Sequence, residues 1–301
     1  MKTRVRKSTL LRDGAIQLRD GRTLGYAEWG DPDGVPVVML HGTPDSRMFS
    51  PDTYRTDTTT TDLGVRLITI DRPGYGRSDP LSGRTPLGYA NDVAAVADAL
   101  RVERFPLVGL SGGGPYAMGS AVAMPERITT LGLVSSVGPC AEIPGYVHEN
   151  EERRSRHELF NADLAAGIER ALEEDRWLVD NPEAILDPSG WPEADRWLVE
   201  DLGLRTPMIE ETKEAGRLGA LGAAWDKAST HRPWGFSPRD VRVPTYMWGG
   251  DLDGMVDRAE FDYLAQTIPG VRVTVWPGEG HVALLRGPYW GQVLATLKGS
   301  S

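Results

Sequence analysis

Four nearly continuous apolar runs dominate the first half of the chain: VPVVML at Val35–Leu40, VRLITI at Val65–Ile70, FPLVGL at Phe105–Leu110 and ITTLGLVS at 128–135. A strand wetted on one face alternates polar and apolar residues. A run that is apolar throughout suits a strand covered on both faces, as in a parallel sheet flanked by helices. The intervening segments supply such helices. Residues 85–100 carry Val93, Val96, Ala97 and Leu100 at three-and-four spacing, and 113–123 are small and helix-compatible. Two short runs at 15–19 and 23–29 flank Asp20-Gly21, which predicts a hairpin at the start, and the polar stretch 57–62 reads as part of a helix and its connection. Strands at 244–248 and 271–276, with helices near 258–268 and 282–298, resume the alternation late in the chain. The expected fold is α/β: a mostly parallel eight-stranded sheet flanked by helices.

The alternation breaks between the sixth and seventh strands. Residues 140–241 contain no clear strand. Residues 151–179 read as helical, with Phe160, Leu164, Ile168 and Leu172 in steps of four. So do residues 209–228, with Leu218, Leu221 and Trp225 on one face. Pro182, Pro188, Pro192, Pro207 and Pro233 cut the segment into short pieces. The expected organisation is a core made of 1–139 and 242–301, with a helical lid of 140–241 inserted after the sixth strand. The tetrapeptide RWLV occurs at Arg176 and Arg196; two copies of four residues are too little for a repeat and read as similar helix faces.

Composition bounds the partners. In 301 residues, 33 Lys and Arg against 43 Asp and Glu leave a formal net charge of −10. An acidic surface repels phosphate backbones and anionic lipid, which excludes nucleic acid and membrane and leaves a small-molecule substrate. The basic start at 1–7 reads as a solvated tail. No run approaches the ~18 apolar residues of a membrane span, and the first twenty residues lack the apolar stretch of a secretory signal. The single cysteine, Cys140, forbids an intrachain disulfide and fits a reducing, cytoplasmic setting. With no cysteine pair and no close His/Cys grouping in the sequence, no metal is expected. No organic cofactor is expected either. Read from Gly109, GLSGGG fails the dinucleotide fingerprint because Ser111 replaces its second glycine, and the P-loop lysine is missing.

The chemistry concentrates at strand ends. Gly109-Leu110-Ser111-Gly112-Gly113 matches G-x-S-x-G where a strand gives way to a helix, the turn that exposes a serine nucleophile. A serine hydroxyl needs a base, and the base needs an orienting acid. Of the five histidines, His281 directly follows the last strand, whereas His148, His157 and His231 fall in the inserted segment and read as solvated. The acid should lie between serine and histidine in chain order, and GGDLDGMV after the seventh strand offers both Asp251 and Asp253. A nucleophilic serine also requires two N–H donors for the developing oxyanion. The amides of Gly112 and Thr43 are placed for this, while His41 reads as a structural tie for its loop. Gly42, Leu110, Met255 and Val282 flank these groups and are the expected substrate contacts.

Four motifs taken together, HGTPDSR at His41, DRPGYGRSD at Asp71, GLSGGG at Gly109 and GEGH at Gly278, resemble the α/β-hydrolase superfamily. In particular they resemble its lid-bearing, esterase-type members, over essentially the whole chain. The resemblance implies the α/β-hydrolase fold and a Ser111–His281 pair completed by an acid three residues after a glycine, which favours Asp253, after Gly250, over Asp251. Relatives that place the acid after the sixth strand have an Asp where this chain has none. The resemblance further implies hydrolysis of a carboxylic ester or related acyl bond of a small, apolar substrate through an acyl-enzyme. Ser111 sets the chain apart from the dehalogenase and epoxide hydrolase branches, whose nucleophile is an aspartate. Lactonase, prolyl-type aminopeptidase, carbon–carbon bond hydrolase and cofactor-free perhydrolase activities use the same triad and stay open, as do a lyase or cyclase and a ligand-binding receptor. Five of the nine tryptophans, Trp177, Trp191, Trp197, Trp225 and Trp234, lie in the insertion, either lining a pocket or packing the lid.

Overall fold

The apolar runs form the strands their patterns predict. A computed structural model describes residues 9–54 and 58–299. The basic start at 1–7 and the first residue of the 57–62 stretch lie outside these. Eight strands form one sheet: β1 (Leu10–Gln17), β2 (Thr23–Gly30), β3 (Val35–Leu40), β4 (Val65–Ile70), β5 (Phe105–Leu110), β6 (Ile128–Val134), β7 (Thr245–Gly250) and β8 (Arg272–Trp276). Their order is β1-β2-β4-β3-β5-β6-β7-β8. β1 with β2 and β2 with β4 are antiparallel; every later pairing is parallel. Every residue of central β5 is buried, as its unbroken apolar run demands. At the far edge of the sheet, β8 buries only Trp276.

The helices are α1 (Thr59–Asp62), α2 (Ala90–Ala99), α3 (Gly114–Ala123), α4 (Glu151–Ala162), α5 (Leu164–Asp180), α6 (Trp197–Glu200), α7 (Arg205–Ala215), α8 (Leu221–His231), α9 (Arg258–Thr267) and α10 (Tyr289–Gly299). One side of the sheet packs Val93 and Val96 of α2, Tyr116 and Ala117 of α3 and Leu264 of α9 against Val38, Ile68 and Leu107. The other packs Trp290, Val293 and Leu297 of α10 against Val37, Leu67 and Val108.

Between β6 and β7 the described chain is helical or irregular, with α4 to α8 and four short 3-10 turns at Pro182–Leu186, Pro188–Gly190, Glu193–Asp195 and Pro238–Asp240. Both long helices expected there are broken in two. Asp163 ends α4 and caps α5 by accepting from Ala166 N–H, so 151–179 is two helices. The stripe nevertheless survives the break: Phe160 with Leu164, Ile168 and Leu172 packs on Ala224, Trp225 and Ala228 of α8. Likewise 209–228 is split, because α7 stops at Ala215 and Gly219 turns the chain at φ 90°. Leu218 therefore sits in the turn, 46% exposed, rather than on a face with Leu221 and Trp225. The two RWLV copies also differ: Leu198 and Val199 are buried, whereas Trp177 of the first copy is largely exposed. Among the described residues no helix is long and apolar enough to cross a membrane.

Candidate active site

Ser111 directly follows β5 and opens a single 3-10 turn, Ser111–Gly113, that leads into α3. Its φ is 49°, in the left-handed region a non-glycine residue rarely adopts. The turn is possible only with glycine around it. A Cβ on Gly109 would stand 2.7 Å from the Gly113 carbonyl oxygen, and one on Gly113 would stand 2.4 Å from that of Leu40. The first amides of such a helix start have no intrahelical acceptor, so they are available to an anion. Thr43 lies directly over Gly112, where a Cβ would come within 2.4 Å of Thr43 Oγ1 and 3.7 Å of its amide nitrogen. The two amides proposed from the sequence are thus neighbours across the β3 and β5 strand ends.

His281 lies on the loop after β8, and its Nδ1 donates to Asp253 Oδ2 at 2.8 Å. The other oxygen, Asp253 Oδ1, accepts from the amides of Met255 and Val256 at 2.9 and 3.0 Å. Burial alone would push His281 down, but the charge and hydrogen bond of Asp253 hold it above the ordinary histidine value. Burial would push Asp253 up, but His281 and the two amides hold it below the usual carboxylate range. Asp251 is exposed and accepts from Gly278 N–H at 2.6 Å, with no contact to His281. His41 is 1% exposed, with Nδ1 donating to the Gly42 carbonyl at 2.8 Å and Nε2 accepting from Arg72 N–H at 3.1 Å. Burial holds it well below its ordinary value, so it is a neutral tie for the loop, as expected.

Ser111, His281, Thr43, Gly112, Gly42, Leu110, Met255 and Val282 all line one cavity of about 630 Å³; Asp253 stands behind His281, outside the lining. The walls are predominantly apolar, and of the five tryptophans of the insertion two, Trp177 and Trp191, reach them. The other three pack: Trp234 in the core on one side of the sheet, Trp197 against the core on the other side and under Arg286, and Trp225 among the helices of the insertion.

Four features were not legible in the sequence. Asp195, fully buried between α5 and α6, accepts from the amides of His281 and Val282, both at 3.0 Å, and so holds the histidine loop from the inserted segment. Asp226, fully buried on α8, accepts from Arg72, Arg84, Tyr75, Tyr116 and Thr43. Burial opposes its charge, but Arg72 and Arg84 hold its carboxyl far below the usual range. A third feature is a pair of carboxyls in the cavity wall. Asp45 flanks Gly42 opposite Ser111, and Glu211 accepts from Ser46 N–H at 2.6 Å. Burial, and for Glu211 the charge of Asp45, raises both. The fourth is a correction. His148 and His231 are buried at 2% and 6% exposure and His157 is half-buried, where solvated side chains were expected. The loop after β6 folds back so that Cys140 Sγ and one nitrogen each of His148 and His157 come within 4.8 Å of one another. Sequence separation hid this grouping.

Residues 37–289 match the alpha/beta hydrolase family. The chain is 40% identical over 128 residues to a non-heme chloroperoxidase of Streptomyces lividans, covering 42% of this chain and 45% of that protein. It is 32% identical over 143 residues to a proline iminopeptidase of Xylella fastidiosa, covering 44% of this chain and 42% of that one. These matches thus span less than half the length of the curated relatives. An esterase structure from Exiguobacterium antarcticum superposes with a TM-score of 0.69 at 21% identity, over 95% of this chain and 100% of its own. An esterase from Rhodococcus sp. does so with 0.67 at 21% identity, over 97% and 100%. At such identity these two likenesses speak for the fold alone, but with the family match over 37–289 the conclusion is plain: this chain belongs to the alpha/beta hydrolase family.

Proposed function

We propose that the protein is a serine hydrolase that cleaves a carboxylic ester or related acyl bond of a small, predominantly apolar substrate. One observation carries the reading: Ser111, held at positive φ at a strand end, shares a cavity with a His281 whose Nδ1 is bound to Asp253. Because Nδ1 carries the proton donated to Asp253, Nε2 is left as the lone pair that takes the Ser111 proton. Oγ attacks the acyl carbon, and the amides of Gly112 and Thr43 receive the oxyanion. Collapse expels the alcohol with the proton held by His281, and water then releases the acid by the same steps in reverse. The segment 140–241 acts as the lid, the apolar walls take the acyl chain, and Gly42, Leu110, Met255 and Val282 contact the substrate. The lone Cys140 fits a cytoplasmic setting. A fluorophosphonate probe should label Ser111, with turnover of p-nitrophenyl esters lost in parallel. A folded protein that turns over esters but leaves Ser111 unlabelled would sink the reading.

A second reading rests on the Asp45 and Glu211 carboxyls in the cavity wall. A half-buried Asp45 near the nucleophile and a buried Glu211 in the same wall, both raised by burial, would be ionised by a cationic amine and so favour it, as in the aminopeptidase alternative. A prolyl p-nitroanilide turned over faster than the matched p-nitrophenyl ester would select it.

A further inference from the structure

Cys140, His148, His157 and His231 play no part in the proposed hydrolysis, yet they converge where the lid begins, against the first turn of α9. His148 Nδ1 faces Tyr146 Oη at 2.9 Å and Asp257 Oδ2 at 3.2 Å, so this nitrogen carries the proton. Its Nε2 is buried and has no partner. His231 repeats the arrangement: Nδ1 donates to the Lys227 carbonyl at 2.8 Å, and Nε2 is buried without a partner. The three imidazoles cluster edge-on or tilted to one another, with ring centres 5.4, 5.4 and 6.0 Å apart. A buried lone pair left unpaired is costly, and two side by side need an explanation.

Cys140 Sγ lies 3.7 Å from His157 Nδ1. A tetrahedral zinc ion with Zn–S of about 2.3 Å and Zn–N of about 2.05 Å sets its sulfur and nitrogen ligands about 3.6 Å apart. The Sγ is also 3.6 Å from the Thr230 carbonyl, a weak contact that a thiol proton alone could make. Around the cluster sits the outer shell that metal-binding histidines use: a carboxylate, Asp257, on the far nitrogen of His148. Asp257 and Glu260 are themselves engaged by Arg153 and Tyr146, whereas Cys140 Sγ has only its long contacts to His157 and Thr230 and His148 Nε2 has no partner.

We propose that Cys140 Sγ, His148 Nε2 and His157 Nδ1 bind a zinc-class divalent ion. Binding releases the Cys140 thiol proton to solvent and leaves one net positive charge facing Asp257 and Glu260, with the Arg153 guanidinium opposing it. The ion clasps the start of the insertion to α4, and through Asp257 to the core. No step of the hydrolysis passes through it.

The test is metal content and a cobalt spectrum on the full chain, free of any affinity tag. Protein produced with zinc should retain about one ion per chain after gel filtration. Cobalt exchanged into it should show a thiolate-to-cobalt charge-transfer band in the near ultraviolet. Cys140→Ala should lose the band and hold less than about one tenth of an ion, with an unchanged circular dichroism spectrum. Asp257→Asn should keep the band but weaken the metal about 10- to 100-fold in competition with a chromophoric chelator. Folded wild-type protein without bound zinc would overturn the site, and so would cobalt bound without the thiolate band.

Discussion

Replacing Asp253 by Asn tests the core of the proposed mechanism, and the structure sets the size of the effect. Asp253 Oδ1 accepts two backbone N–H groups, from Met255 and Val256, while Oδ2 faces His281 Nδ1. An asparagine can keep the two backbone bonds only by giving its Oδ1 to them, which turns its NH₂ toward His281. Flipping the amide would set the NH₂ against two N–H donors, leaving two buried groups unpaired at about 1–3 kcal/mol each. The first orientation wins by about 2–6 kcal/mol. His281 must then accept at Nδ1 and carry its proton on Nε2, the tautomer that cannot take a proton from Ser111. The expected loss in kcat is about 10⁴-fold, or about 5.5 kcal/mol of transition-state stabilisation. Asp251→Asn is the control. Its Oδ1 can still accept from Gly278 N–H at the exposed turn, so the rate should stay within about twofold and stability within about 0.5 kcal/mol. Initial rates on p-nitrophenyl esters, with the folded fraction checked by circular dichroism, decide the matter. If Asp253→Asn works within tenfold of wild type, the tautomer argument is wrong; if Asp251→Asn is the inactive one, the acid is misassigned.

Ser111→Ala and His281→Gln should each cost about 10⁴-fold or more and cost no more when combined, because the members of a triad act as a unit; additive losses in the double variant would refute this. Since Asp253 holds His281 above its ordinary value, ester turnover should fall as pH drops through a point above about 6.5. The stability that the His281–Asp253 pair contributes has the opposite sign for the histidine: it is full below the unfolded pKa and is lost as pH rises through the folded one. A kcat/KM profile whose acid limb lies below 6 would contradict the assigned environment. Asp226→Asn should destabilise by about 3–5 kcal/mol, because Arg72 and Arg84 keep their burial but lose the carboxylate that compensates it, and the melting temperature should fall by about 10 °C. A drop under 2 °C would show that this cluster does not hold the insertion to the core.

The sequence determined the sheet and the positions of its working loops, because both are written in local pattern. Buried strands need continuous apolar runs, and Val35–Leu40, Val65–Ile70 and Phe105–Leu110 have them. A serine at positive φ needs glycine neighbours, and Gly109, Gly112 and Gly113 surround Ser111. Chain order was enough to name His281 and to narrow its acid to Asp251 or Asp253; the choice of Asp253 came from the family resemblance. What lies between β6 and β7 was legible only as helix. The breaks at Asp163 and Gly219 came from a cap and a positive-φ glycine inside otherwise continuous helical pattern, where local propensity is a weak guide. Tertiary structure alone decided the long-range pairings. Asp195 meets His281 from 86 residues away and Asp226 meets Arg72 from 154, and a buried carboxylate finds its partners by the geometry of packing, which leaves no mark in the spacing of residues. The same holds for Cys140, His148, His157 and His231. Read along the chain they are scattered residues of an acidic segment, and only tertiary packing brings them together, with Cys140, His148 and His231 buried and His157 half-buried.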